Sequence, residues 1–172
     1  MNEEVTVATS AEMRDLGREL AGLLRAGDIV ILGGPLGAGK TTLTKGIGDG
    51  LGVRGPVTSP TFVIARVHPS LTGGAALVHA DAYRLGSARE LDDLDLDADT
   101  DTSVTVVEWG EGLAEGLSGD RLEVTIGPSP GQSQGQDDTS GEGDQPRTVR
   151  IHGVGERWQD TRLAREDVSN RL

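Results

Sequence analysis

Residues 34–41, Gly34-Pro35-Leu36-Gly37-Ala38-Gly39-Lys40-Thr41, satisfy the spacing G-x-x-x-x-G-K-T in full. That spacing is the phosphate-binding loop of many nucleotide-binding proteins, and its residue types have physical reasons. Glycines at 34, 37 and 39 open backbone conformations closed to other residues and turn N–H groups inward. A helix starting just beyond the loop adds positive potential at its N-terminus. In such a loop Lys40 reaches β- and γ-phosphate oxygens and the Thr41 hydroxyl binds Mg²⁺, while Leu36, Ala38 and Thr42 complete the expected nucleotide contacts.

Chemistry on a bound triphosphate also needs an acid at the end of a neighbouring strand, to orient Mg²⁺ directly or through water. Two apolar runs end that way: Val104-Thr105-Val106-Val107-Glu108 and Leu77-Val78-His79-Ala80-Asp81. His79 and Asp81 stand two apart on the second run and share a side of it, but no third ligand of suitable type stands near enough in sequence to make a transition-metal site. Tyr83 and Arg84 follow directly, where surface packing and a salt bridge are the plainer reading. Thr58-Ser59-Pro60-Thr61 reads as a loop between helix and strand, a place for a nucleotide-sensing switch or an ordinary turn. Guanine-specific proteins of this kind use Asn-Lys-x-Asp, and the only asparagines are Asn2 and Asn170, so ATP is expected over GTP.

The elements that must position these groups are legible around them. Thr9-Ser10-Ala11-Glu12 is a capping box, and Met13, Leu16, Leu20, Leu23 and Leu24 recur at helical spacing, which predicts a helix over about 10–25. Asp28–Leu32 is an apolar run of the kind buried on both faces of a parallel sheet, and Thr41 to about Gly50 reads as a helix stopped by Gly50-Leu51-Gly52. Short strands are expected at 61–67, 75–80, 104–107, 122–126 and 148–151, with a helix at 88–96. Strands alternating with helices predict an α/β fold: a three-layer sheet with helices on both faces, mostly parallel, with an antiparallel C-terminal hairpin. The stretch 127–146 lacks apolar side chains and is expected to be a disordered insertion in that hairpin. One domain over 1–155 is expected, followed by a C-terminal helix or tail over 156–172.

Composition removes other options. The chain of 172 residues has no cysteine, which excludes disulfides, thiol nucleophiles and Cys-ligated zinc. Its net charge of −12 argues against binding nucleic acid unaided. No apolar run is long enough for a membrane span, and the acidic start Met1-Asn2-Glu3-Glu4 is unlike a signal peptide, so a cytoplasmic protein is expected. Of its sixteen basic residues only Lys40 and Lys45 are lysines, and one of them occupies the phosphate-binding position.

Together, residues 34–42, Val57-Thr58-Ser59-Pro60-Thr61-Phe62, His79-Ala80-Asp81-Ala82-Tyr83-Arg84-Leu85 and Glu108-Trp109 resemble the TsaE (YjeE) family. The resemblance runs from about residue 5 to residue 126, with the motifs in family order. It implies a small bacterial P-loop ATPase that acts with TsaB and TsaD, the proteins that transfer threonylcarbamoyl to adenosine 37 of tRNAs reading codons that begin with A. Contact with tRNA would be indirect, through that complex. On matching positions it implies ATP and Mg²⁺ as ligands, with Lys40 on phosphate, Thr41 and Glu108 on Mg²⁺, and Thr58-Ser59-Pro60-Thr61 as the switch near the γ-phosphate. Asp81 would position or activate water, Tyr83 and Arg84 would share its loop, Thr9 and Ser10 would approach adenine, and Arg147 would also touch nucleotide. The residues alone leave two other readings: a small-molecule kinase, although 127–146 has no Arg to serve as a phosphate lid, and a nucleotide-responsive binding module.

Overall fold

The computed structural model describes residues 1–60, 64–93, 101–129 and 145–163. Among these residues seven strands form one sheet: β1 Asn2–Val7, β2 Ile29–Gly33, β3 Ala65–His68, β4 Ala76–Asp81, β5 Ser103–Glu108, β6 Arg121–Pro128 and β7 Arg147–Val154. Three α-helices accompany them: α1 Ser10–Ala21, α2 Lys40–Leu51 and α3 Ala88–Asp92. The sheet order is β1-β7-β6-β2-β5-β4-β3. The four central strands β6, β2, β5 and β4 run parallel, whereas β3 at one edge and the β6–β7–β1 set at the other pair antiparallel. The predicted parallel core with an antiparallel C-terminal hairpin is therefore present.

Side-chain alternation sorts the core into two clusters. Val30 and Leu32 of β2, Val104 and Val106 of β5 and Leu77 of β4 pack on the face covered by Leu16 and Leu20 of α1 and Leu43 and Ile47 of α2. Ile29, Ile31, Val78, Ala80 and Val107 pack on the other face with Leu91 of α3 and Ala114. Both faces are covered, the second more thinly, by α3 and a 3-10 turn at Glu115–Leu117.

Helix α1 begins as expected, with Thr9 Oγ1 accepting from the Glu12 N–H at 3.1 Å and Glu12 Oε2 accepting from the Ala8 N–H at 2.6 Å. It stops at Ala21 rather than near residue 25, because Gly22 begins a turn in which Leu24 stays buried without helix around it. Helix α2 ends at Gly52, whose φ of 68° suits a residue without Cβ. The two helices touch backbone to backbone. A methyl group on Gly17 would run into the Leu43 carbonyl, one on Gly46 into the Arg14 carbonyl, and one on Gly50 would stand 2.5 Å from Ala21 Cβ. Arg14 clamps Asp49 across this contact with bonds of 2.6 and 3.0 Å, and Arg18 adds a third at 3.1 Å.

Strand β1 was not expected. It pairs with β7, and only Val5 and Val7 of its six residues are buried, too short an apolar signal beside four polar residues. The strand expected at 61–67 begins only at Ala65, with 61–63 outside the described residues. The helix expected to reach residue 96 is described only to Asp92, since 94–100 lie outside. Most of the expected insertion, 130–144, also lies outside the described residues. Of the expected C-terminal helix or tail, Glu156–Trp158 forms a 3-10 turn whose Trp158 ring is fully buried against the α1 face, and 164–172 lie outside. No helix among the described residues is long and apolar enough to cross a membrane.

Candidate nucleotide site

The glycine-rich loop leaves the buried strand β2 at Gly33 and enters α2 at Lys40. Gly34 and Gly39 have φ of 131° and 109°, values that L side chains rarely adopt, and a Cβ on Gly34 would also strike the Ile126 carbonyl. Helices α1 and α3 are capped by the side chains of Thr9 and Ser87, but α2 has no side-chain cap and no acid in its first turn. Its positive end therefore faces the loop without a counter-charge from the helix's own first turn.

Lys40 is 5% exposed and donates to the Gly34 and Pro35 carbonyls at 2.7 and 2.9 Å, which folds the loop around its ammonium. The Trp109 ring lies 3.9 Å from Lys40 Nζ, close enough for cation–π attraction. Burial pushes the ammonium below the ordinary lysine value, and the nearby carboxylates of Glu108, Asp81 and Glu111 oppose that shift. Trp109 has a φ of 58°, a costly conformation for a bulky side chain, held in part by its N–H donating to Leu32 O at 2.9 Å.

The parallel β4–β5 register sets Asp81 beside Glu108, so the two strand-end acids are neighbours. Glu108 Oε1 accepts from Thr41 Oγ1 at 3.0 Å and contacts His79 Nε2 at 2.8 Å. Asp81 Oδ1 accepts from the Tyr83 N–H at 2.9 Å, which bends the chain so that the Tyr83 ring lies 5.0 Å from the Trp109 ring. His79 is thus engaged with Glu108 rather than paired with Asp81 for a metal. Among the described residues no group of three or more His, Cys, Asp or Glu could hold one.

A cavity of about 550 Å³ is lined by Leu36, Gly37, Ala38, Gly39, Lys40, Thr41, Thr42, Ser59, Asp81 and Glu108 of the expected site, by Pro60, Tyr83 and Arg84 of the expected switch and Asp81 loop, and by Ile64 and Trp109. A second cavity of about 210 Å³ shares Gly37, Ala38, Gly39 and Thr42 with the first and adds Thr9, Ser10 and Arg147. The sequence-predicted residues thus gather in two cavities on either side of one loop. Gly34 contributes through its carbonyl to Lys40, Thr58 is exposed and lines neither cavity, and Thr61 lies outside the described residues. Sequence reasoning missed the ring of Trp109 over Lys40 and the packing of Val7, Met13 and Gln145 around the smaller cavity. Trp109 carried a signal only as part of the Glu108-Trp109 motif.

A family model described as "Threonylcarbamoyl adenosine biosynthesis protein TsaE" matches residues 7–135, a stretch that contains every residue lining the larger cavity. The chain belongs to the TsaE family. A relative from Streptomyces coelicolor, named a tRNA threonylcarbamoyladenosine biosynthesis protein TsaE, is 61% identical over 147 residues, covering 85% of this chain and 93% of that one. A relative of the same name from Bacillus subtilis is 34% identical over 148 residues, covering 86% and 84%. The crystal structure of Bacillus subtilis YdiB superposes with a TM-score of 0.66 at 29% identity, covering 92% of this chain and 89% of that one. The mixed α/β sheet is thus that of the TsaE family, as the motifs implied.

Proposed function

We propose that this chain binds and hydrolyses ATP as a Mg²⁺-dependent, cytoplasmic component of bacterial tRNA threonylcarbamoyladenosine synthesis, acting with TsaB and TsaD and meeting tRNA only through them. The observation that carries this reading is the convergence of Lys40, Thr41, Asp81 and Glu108 on one cavity at an uncapped helix start. The oxygen pair of Thr41 and Glu108, 3.0 Å apart, fits Mg²⁺, which takes few protein oxygens and fills its other positions with phosphate and water. Bound there, Mg²⁺ would neutralise phosphate charge.

The chain's own groups divide the remaining work. Lys40 and the loop N–H groups hold the phosphates, and the smaller cavity beside Thr9, Ser10 and Arg147 takes the nucleoside end. Asp81, held by the Tyr83 N–H, orients the attacking water. The twelve-unit negative charge of the chain leaves tRNA contact to the partners.

Phosphate release measured for the chain alone, and then with TsaB and TsaD, tests the proposal. Slow release stimulated by the pair is the expected result. Phosphorylation of an added metabolite would establish the kinase reading instead, and ATP binding without any release would establish a nucleotide-responsive binding module.

A further inference from the structure

We infer that His79 is a positioning residue that fixes the Glu108 carboxylate on Thr41, an inference that rests on Thr41 and Glu108 being the magnesium-binding pair. His79 is completely buried on β4, paired in register with Val106, two residues before Glu108 on the neighbouring strand. The two side chains therefore lie diagonally on the same face of the sheet, a separation that an imidazole and a glutamate can span.

The hydrogen bond has a definite sense. A carboxylate only accepts, so His79 Nε2 carries the hydrogen and donates to Glu108 Oε1 at 2.8 Å. The same oxygen accepts from Thr41 Oγ1, so Glu108 is held from β4 on one side and from α2 on the other. Among the described residues His79 Nδ1 has no hydrogen-bond partner. A buried ring that leaves one nitrogen unsatisfied costs stability, and here its other nitrogen orients an acid of the candidate site. With His79 replaced by an apolar residue, the Glu108 carboxylate would keep, among the described residues, the Thr41 hydroxyl as its hydrogen-bond donor, and would then reach other rotamers.

Equilibrium binding of a non-hydrolysable ATP analogue, titrated with Mg²⁺ and repeated in EDTA, tests this on the full chain. His79→Leu should raise the Mg²⁺ concentration needed for half-maximal enhancement about 10–100-fold, while affinity in EDTA stays within about threefold. His79→Gln, whose amide keeps a donor of similar reach, should restore most of the loss. The double variant with Glu108→Gln should be little worse than Glu108→Gln alone, because both act through one carboxylate. An unchanged Mg²⁺ requirement in His79→Leu, equal behaviour of Leu and Gln, or additive effects with Glu108→Gln would overturn the inference. If His79→Leu fails to fold, His79→Asn, polar but too short to reach Oε1, takes its place beside His79→Gln. Absence of any Mg²⁺ enhancement in the wild-type chain would instead remove the magnesium-pair reading on which the inference rests.

Discussion

Thr41 Oγ1 donates to Glu108 Oε1 across 3.0 Å, joining the first turn of the helix after the glycine loop to the end of a strand 67 positions later. The contact ties the helix start after the glycine-rich loop to the acidic strand ends.

Lys40→Ala should weaken ATP binding by roughly 100-fold, about 3 kcal/mol, since a charge-assisted contact to phosphate is lost. Equilibrium binding measures this, and wild-type affinity in a folded Lys40→Ala protein would contradict the role given to Lys40.

Glu108→Ala and Asp81→Ala should lower phosphate release by about 100-fold or more while changing ATP affinity by less than about tenfold, because acids act on metal and water more than on the bound ground state. Steady-state release set beside equilibrium binding separates the two effects. Equal losses in both would mean that the acids serve binding alone.

Affinity for ATP should fall as pH rises, and should do so below 10.5, because burial holds the Lys40 ammonium below that ordinary value. The linkage to folding has the opposite sign. Between the depressed folded value and 10.5 the unfolded chain still carries a proton that the folded chain has lost, so Lys40 favours the folded state increasingly as pH climbs through that window. Binding titrated against pH for the wild type and for Lys40→Arg, which keeps its charge, checks the first claim: the Arg variant should show no fall there.

Gly17→Ala and Gly46→Ala should each destabilise the fold by about 1–3 kcal/mol, although alanine ordinarily improves a helix by up to about 1 kcal/mol. The obstacle in both cases is a backbone carbonyl, which cannot rotate away as a side chain could. Thermal unfolding should show a drop of roughly 2–4 °C per kcal/mol, and an unchanged midpoint would mean that the helices separate at little cost.

The ion pair of Asp49 with the helix clamp Arg14 adds a low-pH dependence. The Arg14 hydrogen bond holds the Asp49 carboxyl below its ordinary 3.8. That contribution is present above 3.8 and is lost as pH falls through the depressed folded value, so Asp49→Asn should flatten part of the acid limb of the stability curve.

What the sequence made legible were features with local causes. The loop, its flanking strand and helix, the Thr9 cap and the acids at two strand ends each announce themselves within a few residues. Features that arise from distant pairing did not. Strand β1 exists because β7, some 145 positions later, completes its ladder, and its own two buried valines are too few to declare it. The Trp109 ring over Lys40 depends on a left-handed backbone that no spacing rule for tryptophan predicts. His79 was visible as a possible metal ligand, but its partner could be identified only once the β4–β5 register was known.

The glycine contact between α1 and α2 works as a ruler. Met13 meets Gly39, Gly17 meets Gly46 and Ala21 meets Gly50, so the helices run side by side in the same direction and their starts lie together. One start supplies Thr9 and Ser10 to the smaller cavity, the other Lys40 and Thr41 to the larger. The spacing between the two cavities is therefore set by how closely the glycines let the two helix starts approach.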